Sequence, residues 1–398
     1  MIVVTPPSRK AFSSALVQDA DWRRAASSAA ERVRADLGGR PCDLAVAFVS
    51  EPYRSLEAAE LAGLLSKELP GAVLLGCNAA GVIGPGREIE HAPAVSLLGM
   101  NLPGVRLQPF TFSPGDLATL STGDQLLRAL DLYPTERPNF LCLADPLTCD
   151  VDRLLKVFNE GYPGRPLVGG LSSGAAAGGA GWIFSEGEIL SEGAAGVCLW
   201  GDLEVDTVVS QGCRPVGACF LVTKSDRHVL RQLGGRPAFE VLRELVESLS
   251  PDDRRLAKHS LMAGIAMEEK RGGLQPGNFF IRNLIGVDPA DGAVMVGASV
   301  RPGQTLQFHL RDARAAAEDL EAMLGKVPAE GASPRAGLLF SCLGRGKGLF
   351  GAADHDIKMI ESRLGPMAVA GFFANGELGP VGGRNYVHGY TSSLALLS

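Results

Sequence analysis

No two cysteines in this 398-residue chain stand two residues apart, which removes zinc-ribbon and dithiol redox motifs and any c-type haem attachment sequence. The eight cysteines fall at 42, 77, 142, 149, 198, 213, 219 and 342. Most lie in apolar runs such as "FLCLA" and "GVCLW", the setting of small buried hydrophobes in a reducing compartment. Apolar stretches of about eighteen residues are also missing, which argues against a membrane-spanning helix. The opening "MIVVTPP" is too short and too proline-broken for a signal-peptide core. A basic surplus is lacking as well. The net charge is −6 and Lys and Arg are dispersed, which argues against a nucleic-acid partner. The expectation is a cytoplasmic protein.

What the chain has in plenty is glycine, fifty residues without a fixed period. Collagen-like and low-complexity readings therefore fail. With 46% hydrophobic and 21% charged residues over this length, the composition is that of a globular protein of two domains.

Three stretches share one order of elements. "DLAVAFVS" (43–50) reads as a buried strand, "SLEAAELAGLLSKELPG" (55–71) as a helix, and "AVLLGCNAAGVIGPGREIE" (72–90) as a strand running into glycines. The alternating "APAVSLLGM" (92–100) closes the unit. The same order recurs from "NFLCLADP" (139–146) to "EGAAGVCLWG" (192–201), and from "AGLLFSCLGRG" (336–346) to "YTSSLALLS" (390–398). Each carries G-x-x-x-x-G after its second strand: Gly76–Gly81, Gly169–Gly174 and Gly371–Gly376. This pattern is an internal repeat. It predicts α/β architecture, with mixed β-sheets flanked by helices and built from three β-α-β-(Gly turn)-β units in two domains. Each strand–helix–strand part should form a right-handed parallel crossover, and the glycine turn should send the chain back antiparallel. Residues 1–40 read as a helical lead-in, with Trp22, Ala26, Ala30, Val33 and Leu37 on one face and Gly38-Gly39 as its cap. The boundary falls near Gly201, giving domains at 41–201 and 202–398, the latter comprising a β-rich insert and the third unit.

The glycine motif followed by "REIE", together with "GGLSSG", resembles the N-terminal FIST (F-box and intracellular signal transduction) domain. "QGCRPVG", "LGGRPAFEVL", "RNLIGVDP", "HLRDARAAAEDL", "SCLGRG" and "GFFANGELGP" resemble its C-terminal counterpart. The resemblance covers about residues 42–398. It implies a sensory module that binds a small ligand, such as an amino acid, and is tied to a signalling output. Neither an F-box nor a kinase-type extension is expected from the sequence, so output would pass through a protein partner. Some members of the family bind haem and sense nitric oxide, which requires an axial histidine. The six histidines form no metal motif, and His309 would be the candidate.

The residues themselves point to one end of the third unit. Cys342 ends a strand, and Gly344 and Gly346 flank Arg345. Freed backbone N–H groups could cradle an anion, with Arg345 as a bidentate clamp, and the cation would make Cys342 reactive. A tight turn with Arg345 in solvent is the plain alternative. Asn375-Gly376 is a strong hairpin dipeptide, and Asn375 and Glu377 are the polar groups of that turn. Brought beside Arg345, Glu377 would suit a zwitterion. Arg282 and Asn283 inside a strand, and Arg311 just before the helix cap Asp312, are clamp or ion-pair candidates, with Asp312 or Glu377 as partner. Asp354-His355-Asp356 reads as helix capping. The expected ligand set is therefore Cys342, Gly344, Arg345, Gly346, Asn375, Glu377, Arg282, Asn283 and Arg311, with no metal and no catalytic residue. Three alternatives to the small-ligand sensor stay open: a scaffold acting through a protein partner, a haem-based nitric oxide sensor, and an enzyme with Cys342 as nucleophile.

Overall fold

The computed structural model describes residues 9–50, 58–177, 181–267, 278–329 and 333–398. Numbered along the chain, the first segment runs β1 (Ala11–Gln18), α1 (Trp22–Leu37), β2 (Leu44–Ser50), α2 (Ala58–Glu68), β3 (Val73–Ala79), β4 (Gly81–Gly84), β5 (Arg87–Glu90) and β6 (Ala94–Asn101). The second runs β7 (Val105–Phe112), α3 (Pro114–Thr119), α4 (Gly123–Leu130), β8 (Asn139–Ala144), α5 (Val151–Gly161), β9 (Leu167–Leu171), β10 (Ile183–Ser185), β11 (Glu188–Leu190) and β12 (Ala194–Gly201). After β13 (Val205–Gln211) come β14 (Cys213–Asp226), β15 (Val229–Leu233), β16 (Arg236–Pro237), α6 (Ala238–Ser248) and α7 (Pro251–Ser260). Next are β17 (Leu261–Ala266), β18 (Phe279–Asp288), β19 (Ala293–Val296), β20 (Thr305–Arg311), α8 (Ala313–Leu324) and α9 (Lys326–Ala329). The third segment ends the chain with β21 (Ala336–Cys342), α10 (Gly346–Phe350), α11 (His355–Leu364), β22 (Ala368–Ala374), β23 (Glu377–Val381), β24 (Arg384–His388) and β25 (Thr391–Leu397).

The helix expected from 55 begins at Ala58 in the structure, and its first three residues lie outside the described ones. α1 forms where its apolar spacing predicts. Asp21 caps its start by accepting from Arg23 N, and Gly38 ends it in the left-handed region at φ 64°. The lead-in is more than a helix, because β1 precedes it and pairs with β6. β1 alternates buried and half-buried positions, the mark of a strand covered on one face.

Three six-stranded sheets share one pairing order. They run β1-β6-β2-β3-β10-β11, β7-β12-β8-β9-β23-β24 and β13-β25-β21-β22-β4-β5. In each, the two strands joined by a helix are parallel, as the crossover rule requires: β2 with β3, β8 with β9, β21 with β22. Gly76, Gly169 and Gly371 stand opposite Ala47, Cys142 and Leu339 in these pairs. A Cβ on any of the three would drive into the carbonyl oxygen of that opposite residue. The first motif glycine therefore lets two buried strands approach closely.

Beyond the motif, the chain does not make the expected return to its own sheet. The first segment's β4 pairs with β22, the second segment's β10 with β3, and the third segment's β23 with β9. Each hairpin thus completes the sheet of another segment. Asn375-Gly376 is not a hairpin turn but the crossing point. Asn375 N donates to Leu171 O at 3.0 Å, and Leu171 N donates to Gly376 O at 2.8 Å. The tight turn lies further on, at Gly382-Gly383, both with positive φ. The inner faces of the three sheets share one core in which Phe48, Phe340 and Phe372 meet with ring centroids 4.8–6.1 Å apart. The outer face of the first sheet is covered by α1 and α2, and that of the second by α5 residues such as Phe158, with Tyr162 just after that helix.

The chain forms two compact units. One comprises the described residues up to Val209 with Glu321–Val387 and Thr391–Ser398; the other is Ser210–Leu320 with His388–Tyr390. The sequence divides near Gly201, whereas in the structure the third segment packs with the first two. The hairpin exchange is the reason: sheets that share strands cannot separate. In the second unit the antiparallel order is β14-β20-β17-β18-β19-β15-β16, and a further β14–β15 pairing closes the ring. Val241, Leu242 and Leu245 of α6 pack into its core. Among the described residues no helix is long and apolar enough to cross a membrane, and no group of three His, Cys, Asp or Glu is placed to hold a metal ion.

Candidate functional site

β21 is buried along its whole length and delivers Cys342 to the carboxyl end of the third sheet. The next turn is held tightly. Leu343 N donates to Ala374 O (3.0 Å), Arg345 N to Cys342 O (2.8 Å) and Gly344 N to Cys342 Sγ (3.5 Å). Gly346 takes a positive φ of 62°, where a Cβ would lie 2.7 Å from Glu90 Oε1. Lys347 N donates to that same oxygen at 2.8 Å. The glycine cradle expected for an anion is thus present and already faces a carboxylate of the protein itself.

Arg345 is neither solvated nor open to an outside ligand along its fork. It is 1% exposed, and its Nε and Nη2 donate to Asp356 at 2.7 and 2.9 Å. Ser341 Oγ donates to Asp356 at 3.1 Å, and His355 Nδ1 lies 3.0 Å from it. Burial disfavours the ionised Asp356, but the Arg345 guanidinium and the hydrogen bonds from His355 and Arg345 hold its carboxyl well below the usual range. The helix-opening Asp354-His355-Asp356 therefore does more than cap. Asp354 accepts from Glu88 N (2.8 Å) and from Lys358 Nζ of α11 (3.1 Å), and its side chain makes no capping bond to that helix. Phe350 stacks on His355 at 3.5 Å between centroids, with the Arg345 guanidinium 5.3 Å from the Phe350 ring. Asp356 gave no sequence signal beyond an acidic residue in a first helical turn, eleven positions after Arg345.

Glu377 is fully buried beside this pair. It accepts from Thr391 N (3.2 Å) and Thr391 Oγ1 (2.5 Å), and the Cys342 thiol bonds to it. Burial pushes its carboxyl up to about 8, against the pull of Thr391, Cys342 and Arg345. Glu88 is pushed up to about 7, first by burial and then by Asp356 and Asp354. Arg345 Nη1 and Glu377 Oε1 are buried without a hydrogen-bond partner among the described residues. Cys342 is 9% exposed, and Asn375 is exposed at the crossing turn.

The Glu377 shift has a testable sign. In the unfolded chain this carboxyl releases its proton near 4.5, in the folded protein near 8. Between those values the folded state holds more protons than the unfolded state, so its contribution to stability falls as pH rises. Glu377→Gln should make the decline in unfolding free energy between pH 5 and pH 8 shallower than in the parent, read by urea titration at each pH. An equal slope would show that Glu377 titrates normally.

The remaining expected residues belong to the second compact unit. Arg282 Nη1 donates to its neighbour Ile281 O at 2.9 Å and lies over Phe280. Asn283 is exposed and bonds to the Tyr390 hydroxyl, and Arg311 lies 5.9 Å from the Tyr390 ring. Asp312 caps α8 by accepting from Arg314 N and Ala315 N, and its ion pair is with Arg214 rather than with Arg282 or Arg311. His309 is wholly buried in β20 against Phe279, with its Nδ1 3.0 Å from Gln307 O. Burial lowers its pKa to about 4. A Cβ on Gly264 would already collide with its ring. That enclosure does not fit a porphyrin's axial ligand.

Two curated relatives match nearly end to end. An uncharacterized protein of Mycobacterium tuberculosis is 39% identical over 94% of this chain and 96% of its own. An uncharacterized protein of Mycobacterium bovis is 40% identical over the same shares. Among solved structures, a "cyanuic acid hydrolase from A. caulinodans" covers 98% of this chain and 99% of its own at 8% identity, with a TM-score of 0.38 too low to carry an argument. The FIST N domain matches residues 43–236 and the FIST C domain residues 238–380, and the chain belongs to the FIST family.

Proposed function

We propose that this FIST protein is an intracellular sensory module whose site at the carboxyl ends of β21 and β22 holds a small ligand, an amino acid or small carboxylate, and that its output passes through a protein partner. FIST domains are associated with signal transduction and small-ligand sensing. The observation that carries the reading is the pair of unmatched buried atoms, Arg345 Nη1 and Glu377 Oε1. Buried polar groups are nearly always bonded, and an orphaned pair calls for a third participant. A guanidinium N–H suits a carboxylate, and a ligand ammonium would draw Glu377 into its ionised form, which together describe a zwitterion.

The test is a thermal-shift panel of the common amino acids and small carboxylates. A true ligand at a hundred times its Kd stabilises by about 2.7 kcal/mol. Glu377→Gln keeps the side-chain shape and should abolish the shift given by an amino acid. A shift that survives in Glu377→Gln would place the ligand elsewhere.

A further inference from the structure

A polar groove of about 920 Å³ opens on the first unit and shares no residue with the Cys342 cluster. Its size falls within the range of small-molecule sites, roughly 300–1,000 Å³. Its walls come from the turns that precede β8 and β9, from the link between β12 and β13, and from the Gly382-Gly383 turn. The turns before β8 and β9 each contribute an arginine, Arg137 and Arg165. Arg165 is built in. Its Nε donates to Pro138 O at 2.9 Å, its Nη2 to Asn139 Oδ1, and its own carbonyl accepts from Asn385 Nδ2 at 2.9 Å. Its Nη1 has no partner among the described residues. Arg137 is exposed, with its backbone fixed by a bond from its N–H to Pro134 O at 2.9 Å. Neither arginine has an ion-pair partner among the described residues. Burial, and then the charge of Arg137, lower the Arg165 pKa, so the two guanidiniums feel one another.

Two guanidiniums on one wall, neither in a direct ion pair among the described residues, repel one another, and an anion bound between them would relieve that repulsion. The carboxylates of Glu136, Glu204 and Asp206 also line the groove. They disfavour a polyanion and suit hydroxyl or amine donors. We propose that this groove is a second binding site, for a small organic anion whose carboxylate or phosphate is held by Arg137 and Arg165 and whose donor groups meet Glu136 and Glu204.

Calorimetric titration of the full chain with glycerol 3-phosphate and with glycerate tests this, since the two share a body and differ in the anionic head. Saturable binding of at least one is expected, and the tighter of the two identifies the preferred head. Affinity should fall about tenfold in Arg137→Ala and in Arg165→Lys, the loss expected of one charge-assisted contact, and should weaken as salt is raised. Glu377→Gln should bind glycerol 3-phosphate as the parent does, which separates this site from the one at Cys342. Arg137 is exposed, so its replacement leaves the fold intact. The proposal is overturned if neither compound binds saturably, or if both arginine variants bind like the parent.

Discussion

Gly371→Ala is expected to destabilise the protein by about 3 kcal/mol or more, the upper end of overpacking costs. The added Cβ would point at Leu339 O on the parallel neighbour and lie 2.9 Å from Leu339 C. Those are backbone atoms, fixed by the ladder from Ala336↔Ala368 to Cys342↔Ala374, and they cannot rotate away as a side chain would. Gly76→Ala and Gly169→Ala meet the same obstacle at Ala47 O and Cys142 O. Gly63 supplies the contrast. It lies inside α2, a Cβ there would meet nothing within 4 Å, and Gly63→Ala should gain about 0.5–1 kcal/mol through helix propensity. Urea midpoints read by fluorescence compare the four variants, since Trp22, Trp182 and Trp200 all lie in the first unit. If Gly371→Ala and Gly63→Ala behave alike, the close-approach account of the motif fails.

Asp356→Ala should cost about 3–5 kcal/mol, because it leaves Arg345 charged, buried and unpaired. The size of this loss does not measure what the pair contributes. A buried ion pair must first be taken out of water, and a well-packed apolar substitute for both partners is often neutral or better. The double replacement Arg345→Met with Asp356→Leu should therefore recover much of what Asp356→Ala loses. The pair also ties stability to acid. Asp356 is held below its ordinary value of 3.8, so its contribution is complete above that pH and disappears as pH falls through the lower folded value. Acid titration of the parent beside the double variant should show a steeper loss in the parent. Equal stability of the Asp356→Ala protein and the double variant would mean that Arg345 finds another counter-charge.

The parts of this structure legible in the sequence are those fixed by neighbours along the chain. The apolar spacing of Trp22 to Leu37 and the left-handed Gly38 are local features, and α1 follows them. The parallel pairing of the three strand–helix–strand segments comes from short-range connection rules. Asp312 caps its helix as its position predicts. The features that escaped reading depend on partners far apart. Nothing near Asn375-Gly376 distinguishes a hairpin turn from a crossing, because the distinction lies in Leu171 more than two hundred positions earlier. Arg345 is recognisable as a special arginine, but its partner Asp356 is hidden among ordinary capping residues. Arg137 and Arg165 stand in unremarkable turns and acquire meaning when β8 and β9 align side by side.

The passing of each hairpin to another sheet means that no third of this protein is a fragment that could stand alone. A chain cut after Gly201 would keep the first sheet whole, but it would leave β9 without β23 and strand β4–β5 without β22. Its bare strand edges would invite aggregation. The exchange of hairpins is completed by joining residues 82–83 to 371–372, so its last link waits until nearly the whole chain is available. Such long-range pairing slows folding. A nascent chain therefore carries two open edges until its final strands emerge, and dependence on protection during synthesis is built into the fold's connectivity.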